Sequence, residues 1–177
     1  MKLKALLTNM HVKILSQSSM EKKVKYLRGQ GVKIGQGCGI RSMSFSTEPY
    51  LIELGNKVTV ACGVKFITHE GSIKLFGDNL DGYLYGKIKI GNNVFIGINC
   101  IILLNTTIGD NCIIGAGSIV RGQFPDNSVI VGNPAKVVLN MSIQRMLNFN
   151  NPGFVKMNPN PTVAEKDRLV KKHFGID

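Results

Sequence analysis

The sequence predicts a mainly β fold: a coil of very short parallel strands, with an inserted loop and short flanking helices. Three observations point there. An aliphatic residue recurs every six positions, a glycine often follows it, and the one long interruption of the pattern returns in phase. Read in sixes from Ile90, the chain runs IGNNVF, IGINCI, ILLNTT, IGDNCI, IGAGSI, VRGQFP. The first position is Ile90, Ile96, Ile102, Ile108, Ile114 and Val120, and Gly91, Gly97, Gly109 and Gly115 follow four of them. The fifth position is Val94, Cys100, Thr106, Cys112, Ser118 and Phe124, small in all but the last. Leu54, Val60 and Phe66 share this phase, whereas Ile34 and Ile40 form a pair in a shifted register. Residues 41–53 must therefore absorb an offset. A helix needs apolar spacings of three and four, and plain alternation gives an ordinary strand. A period of six with recurrent glycine gives short strands joined by tight corners. One turn cannot bury its own apolar positions, so turns must stack about 4.8 Å apart around a continuous interior.

Composition narrows the class further. The chain has 177 residues, 44% of them apolar, enough for one domain with a sizeable core. Its 20 glycines against 6 prolines favour many corners over a disordered chain. No apolar run approaches the ~20 residues that cross a bilayer. The opening MKLKALLTNM lacks a cleavage pattern, so a cytoplasmic location is expected. Net charge is +11, with eight Lys/Arg against Glu21 in residues 1–33 and none in residues 91–120. Basic residues gathered at the ends, in a chain without Trp, argue against nucleic acid. An anionic small molecule or membrane surface explains the charge better. The cysteines, Cys38, Cys62, Cys100 and Cys112, form no CxxC pair and have no metal-like spacing to histidine. Three fall inside the repeat, where small buried side chains are expected.

Flanking segments divide the chain into residues 1–30, a helical capping segment; 31–139, the coil; and 140–177, a helical tail. Leu3, Leu6, Leu7, Met10 and Ile14 lie at helical spacing, suited to packing on a neighbouring surface or resting on anionic lipid at the inner face of a membrane. A helix is expected from Met20 to Arg28, with Ser18 and Glu21 in a capping-box pattern. Thr162 and Glu165 repeat that pattern before a terminal helix running to Phe174 and stopped by Gly175. The Asn/Pro-rich stretch 148–161 reads as an irregular linker. Residues 70–87, EGSIKLFGDNLDGYLYGK, break the hexads with four glycines and three aromatics, and an insertion of that length is usually functional.

The segment IGNNVFIGINCIILLNTTIGDNCIIGAGSIV, followed by VGNPAKVV, resembles the hexapeptide-repeat acyltransferases over roughly residues 30–139. The likeness is strongest to their sugar O-acetyltransferase branch, which includes capsule, lipopolysaccharide, maltose and galactoside acetyltransferases. It implies a triangular, left-handed parallel β-helix with three hexapeptides per turn. It also implies a homotrimer with active sites between subunits, acetyl-CoA as co-substrate, no metal, and a sugar or glycan hydroxyl as acceptor in polysaccharide biosynthesis. The inserted loop would project over the acceptor site. Phe95 stands where many relatives carry Trp, and Asn105-Thr106 or its neighbours replace a common Pro-Gly. The alternative is another hexapeptide acyltransferase acting on an antibiotic or an amino-sugar amine. Its antibiotic branch typically shows His-Pro after its catalytic region, whereas His69 here precedes Glu70, and the serine-directed branch carries a large helical N-terminal domain. A zinc site of three histidines would need more than His69 from the coil.

Acetyl transfer to a hydroxyl needs a base to take the proton during attack, because an alcohol ionises only near pKa ~16. Histidine suits that task. Of His11, His69 and His173, only His69, in FITHEGS, lies where coil gives way to loop, and the resemblance places the catalytic histidine there. Glu70 could orient the ring or the acceptor, although neighbours on a strand face opposite ways. Asn99 could bind substrate or satisfy the backbone of a corner. The resemblance lays the pantetheine arm of the coenzyme along Gly97 and Gly115-Ala116-Gly117-Ser118. Arg121 and Lys136 would then serve its phosphates, with Asn133 and Pro134 in the GNPAK segment beside them.

Overall fold

The structure, a computed structural model, describes residue 15 and residues 17–77 and 81–176. The expected amphipathic stretch at residues 3–14, with His11, lies outside the described residues. The chain divides into two units, residues 1–141 and 142–177.

In the first unit, helix α1 (Met20–Gly29) precedes the strands. These are β1 (Lys33–Ile34), β2 (Gly39–Ile40), β3 (Ser44–Phe45), β4 (Ile52–Leu54), β5 (Thr59–Val60) and β6 (Lys65–Phe66). A short ribbon, β7 (His69–Glu70) and β8 (Leu84–Tyr85), follows. Then come β9 (Ile88–Ile90), β10 (Phe95–Ile96), β11 (Ile101–Ile102), β12 (Thr106–Ile108), β13 (Ile113–Ile114), β14 (Ile119–Val120) and β15 (Gln123–Phe124). The hairpin β16 (Ser128–Gly132) and β17 (Ala135–Asn140) closes the unit. The strands form the three faces of a prism: β1-β4-β9-β12-β15, β2-β5-β10-β13-β16-β17 and β3-β6-β11-β14. All pairs within the faces are parallel except β16–β17. Ile96 pairs Ile114 and Ile102 pairs Val120, so one turn takes three hexads. The fold is the expected parallel β-helix.

Every first position from Leu54 to Val120 named above is buried, as are Val94, Cys100, Thr106, Cys112 and Ser118 at the fifth. Phe124 is the exception. It pairs Ile108 and takes a first position, because the unit after Val120 is two residues short. Cys62, at a third position, is exposed, unlike the buried Cys100 and Cys112, and all four cysteines are free.

The recurrent glycine has a different reason from the one its spacing suggests. At most corners the left-handed backbone falls at the fourth position, in Gly37, Lys57, Gly63, Asn93, Asn99, Asn105, Asn111, Gly117 and Asn127. Asn tolerates that conformation better than other side-chain-bearing residues. The second-position glycines instead let successive turns approach. A Cβ on Gly97 would lie 2.7 Å from the Ala116 nitrogen, and one on Gly91 2.7 Å from the Gly109 carbonyl.

The register offset is absorbed at residues 46–51, where a 3₁₀ turn, Pro49–Leu51, enlarges the first turn so that Ile34 pairs Leu54. The loop inserts a full turn's length, so Ile52 pairs Ile88 and the coil resumes in phase. At α1 the capping residue is Ser19, without a side-chain cap, and the Ser18 hydroxyl donates instead to the Leu15 carbonyl. The Ser18–Glu21 capping box therefore does not form.

The second unit holds α2 (Met141–Phe149), which starts at the boundary, and α3 (Val163–Phe174). Thr162 and Glu165 make the capping box of α3, and Gly175 ends it at φ 62°. The first residues of the stretch read as a linker are thus helical, and only the segment after Phe149 is irregular. The β16–β17 hairpin was not signalled by the hexads, since an antiparallel return leaves their period.

These assignments predict opposite outcomes for two glycines. Gly97→Ala should cost roughly 1–3 kcal/mol, because backbone blocks the new methyl group. Gly117→Asn should stay within about 0.5 kcal/mol of the parent, since open space surrounds its Cβ direction and Asn fills equivalent corners. Urea unfolding of the two variants checks both.

Candidate active site

The offset segment does more than adjust the register: it carries Glu48 to His69. The His69 Nδ1 lies 2.8 Å from Glu48 Oε2. The Thr47 hydroxyl donates to Oε1 at 2.6 Å and the buried Thr68 hydroxyl to Oε2 at 2.8 Å. Ser46, beside them, lies 2.7 Å from the Thr68 hydroxyl. The Glu48 side chain keeps 15% of its exposure and His69 keeps 32%. The carboxylate is thus nearly enclosed while the imidazole reaches solvent.

Hydrogen bonds from Thr47, then from Thr68 and His69, outweigh burial and hold the Glu48 carboxyl down at about 2, from 4.5. An ionised carboxylate only accepts hydrogen bonds, so Nδ1 carries the ring proton. In neutral His69 the free lone pair then sits on Nε2, the nitrogen turned away from Glu48. This is the arrangement of an oriented general base. Attention to the residue directly after His69 misses Glu48. The available signal was an acid inside the stretch, 41–53, that had to leave the hexad pattern.

His69 and Glu70 form β7, antiparallel to β8, with His69 opposite Tyr85 and Glu70 opposite Leu84. Glu70 does not meet the imidazole. It accepts from Ser72 Oγ at 2.7 Å and pairs with Arg121 Nη1 at 3.5 Å. Arg121, the residue directly after β14, thus lies against the ribbon. Tyr83 and Tyr85 flank the His69 ring at centroid distances of 5.7 and 5.9 Å.

The other candidates gather at a different corner, between the second and third faces. Asn99 is an exposed left-handed corner residue there, its N–H bonded to the Cys62 carbonyl. Gly117 lies one turn on, its N–H bonded to the Ile98 carbonyl. Gly97 is packed against Ala116, and Ala116 and Gly117 are exposed. The Ser118 hydroxyl is buried, donating to the Gly115 carbonyl at 2.7 Å and accepting from the Gly132 N–H at 3.1 Å. Gly115 packs against Val131, so the hairpin tip carrying Asn133 and Pro134 rises beside this run. Lys136 is exposed and opposite Val131. The coil therefore brings Asn99, Gly97, Gly115–Ser118 and the hairpin tip together, and leaves His69 with Glu70 and Arg121 at another edge of the same prism.

The rigid β-helix thus holds an imidazole anchored to a carboxylate at one edge and a small-residue corner at another. A family profile described as "Bacterial transferase hexapeptide (six repeats)" matches residues 87–122. Protein CapG of Staphylococcus aureus is 40% identical over 151 residues, covering 82% of this chain and 85% of that protein. The galactoside O-acetyltransferase of Escherichia coli is 31% identical over 138 residues, covering 77% and 68%. A hexapeptide-repeat acetyltransferase of Vibrio cholerae, complexed with acetyl-coenzyme A, superposes with a TM-score of 0.58 at 24% identity, covering 64% and 62%. The chain belongs to the hexapeptide-repeat transferases, among their acetyltransferases.

The Glu48 carboxylate gives a pH test. Its folded pKa is depressed, so its stabilisation is complete above about pH 4.5 and lost as pH falls through about 2. Glu48→Gln should therefore lower the melting temperature at pH 7, and the gap to the parent should close in strong acid. Thermal melts from pH 7 to pH 2 measure it.

Proposed function

We propose that this chain transfers the acetyl group of acetyl-CoA to a hydroxyl of a sugar or glycan precursor, with His69 as general base. The observation that carries the reading is the 2.8 Å contact between His69 and an ionised Glu48 at a solvent-open corner. The thioester supplies an activated acetyl carbonyl. His69 Nε2 takes the acceptor proton as its oxygen attacks that carbonyl, and then returns it to the departing sulfur. Glu48 holds the ring in the required tautomer and stabilises the imidazolium between the two transfers. The sugar as acceptor is supported by the galactoside acetyltransferase relative.

For the coenzyme, the corner at Gly97 and Gly115–Ser118 suits an extended arm, because nothing lies within 4 Å of the Cβ direction of Gly117 and Ala116 is exposed. Lys136 would meet the phosphates. In this reading Arg121 does so only by leaving Glu70, and the Ser118 hydroxyl, already committed on both sides, shapes the corner. Asn99 would act beside the arm, and Glu70 would act on the ribbon and not on the imidazole. A corner holding the coenzyme and a different corner holding the base are joined when coils pack side by side, which supports an assembly of three copies. Phe95 and Ile98 are about half exposed, and Ile101, Ile113 and Ile119 also point outward near the small-residue corner. Such an apolar stripe suits burial against another copy.

Among the described residues no helix is long and apolar enough to cross a membrane. The basic segment and an acceptor held at a membrane face remain compatible with this reading.

Thiol release from acetyl-CoA with a panel of sugars and amino sugars tests the function. His69→Ala should lose at least about 100-fold in kcat. Unchanged turnover, or acetylation confined to amines, would overturn the assignment. Ile98→Glu should shift the chain to a smaller species in light scattering, since a buried unpaired carboxylate breaks an apolar contact.

A further inference from the structure

The inserted ribbon sorts its residues onto two faces. His69 and Tyr85 oppose each other, and two-residue alternation puts Tyr83 on their side. Glu70 and Leu84 take the other side, where Arg121 and Ser72 hold Glu70. Gly71 clears room for Tyr83: a Cβ there would lie 3.3 Å from the tyrosine ring. Lys74 packs on one face of that ring, its Nζ 4.4 Å from the centroid and 3.4 Å from the hydroxyl. The Tyr83 and Tyr85 rings are 6.2 Å apart at 51° to one another, and both remain about half exposed. Two half-exposed aromatic rings, one of them with an ammonium over one face and close to its hydroxyl, thus stand beside the imidazole.

We propose that Tyr83 and Tyr85 form a stacking shelf for the pyranose ring of the acetyl acceptor, delivering one ring hydroxyl to His69. This rests on the reading of His69 as base toward a sugar. A pyranose has an apolar C–H face and a polar rim, and the shelf offers the complementary surfaces: π faces for the C–H bonds, phenol hydroxyls and Lys74 for the rim. The Glu70–Arg121 pair on the far side steadies the ribbon without touching the shelf. An acyclic polyol has the hydroxyls and no flat face, so the shelf discriminates against it.

Binding and turnover are measured separately, with methyl gluco-, galacto- and N-acetylglucosaminopyranosides and with glucitol as the acyclic control. Saturation-transfer NMR reads binding without acetyl transfer. The wild type should bind at least one pyranoside with its C–H protons saturated and bind glucitol at least about tenfold more weakly. Tyr83→Ala and Tyr85→Ala should each raise the acceptor KM at least about fivefold, with the KM for acetyl-CoA and the melting temperature unchanged. Tyr83→Phe and Tyr85→Phe, which keep the rings, should stay within about threefold. Alanine variants that acetylate pyranosides with an unchanged acceptor KM overturn the shelf and leave the general base intact. Pyranoside saturation that needs both rings, in a protein that acetylates no sugar, supports the shelf and removes the proposed reaction. A wild type that shows no pyranoside saturation overturns the shelf.

Discussion

Everything in the first unit depends on successive turns stacking in register. Each parallel ladder fixes the spacing between turns, and that spacing leaves no room for a side chain where two backbones meet at a second position. The close approach at Gly97 to the Ala116 nitrogen and at Gly91 to the Gly109 carbonyl sets this limit. Once it is met, the first-position aliphatics line up as an unbroken apolar column from Ile34 to Ile130, and burial supplies the driving force. Corner polarity follows the same stacking. Asn56 accepts from the Gln36 N–H, Asn92 from the Asn56 N–H, Asp110 from the Asn92 N–H, and Asp126 from the Asp110 N–H, each one turn further along. A ladder of side-chain oxygens thus satisfies corner donors that have no strand partner.

A rigid repeat has little freedom to make a site, and the candidate base and its carboxylate lie where the repeat is broken. The surplus residues at 46–51 and the insertion at 70–87 meet at one corner. The first break brings Glu48, Thr47 and Ser46; the second begins directly after His69. The surrounding coil fixes both ends of each excursion, so the imidazole and its carboxylate are held without a long network of their own. The small-residue corner is a different product of the same coil, arising where Ala116 and Gly117 leave the turn open.

Charge follows this division. Thirty residues of the coil carry no Lys or Arg, and the excess of positive charge sits on the flanks. The Glu70–Arg121 pair is exposed and longer than the His69–Glu48 contact, and exposed pairs of this kind contribute at most about 1 kcal/mol. It orients the ribbon more than it stabilises the fold.

The hexads made the coil legible because burial repeats at a fixed interval: Ile90, Ile96, Ile102, Ile108, Ile114 and Val120 are inside for one common reason. The α3 capping box was equally local, resting on Thr162 and Glu165 alone. His69 stood out because it ends a repeat and opens a loop. Glu48 did not, because its partnership spans about twenty residues and depends on how much the first turn is enlarged. The failed cap at Ser18 and the displaced Phe124 were also settled by packing, through a turn to Leu15 and a shortened unit after Val120. What the sequence by itself determined was the periodic interior and the place where it stops. The tertiary structure decided which side chains meet across the breaks, because contact between non-repeating segments is set by stacking geometry and not by spacing along the chain.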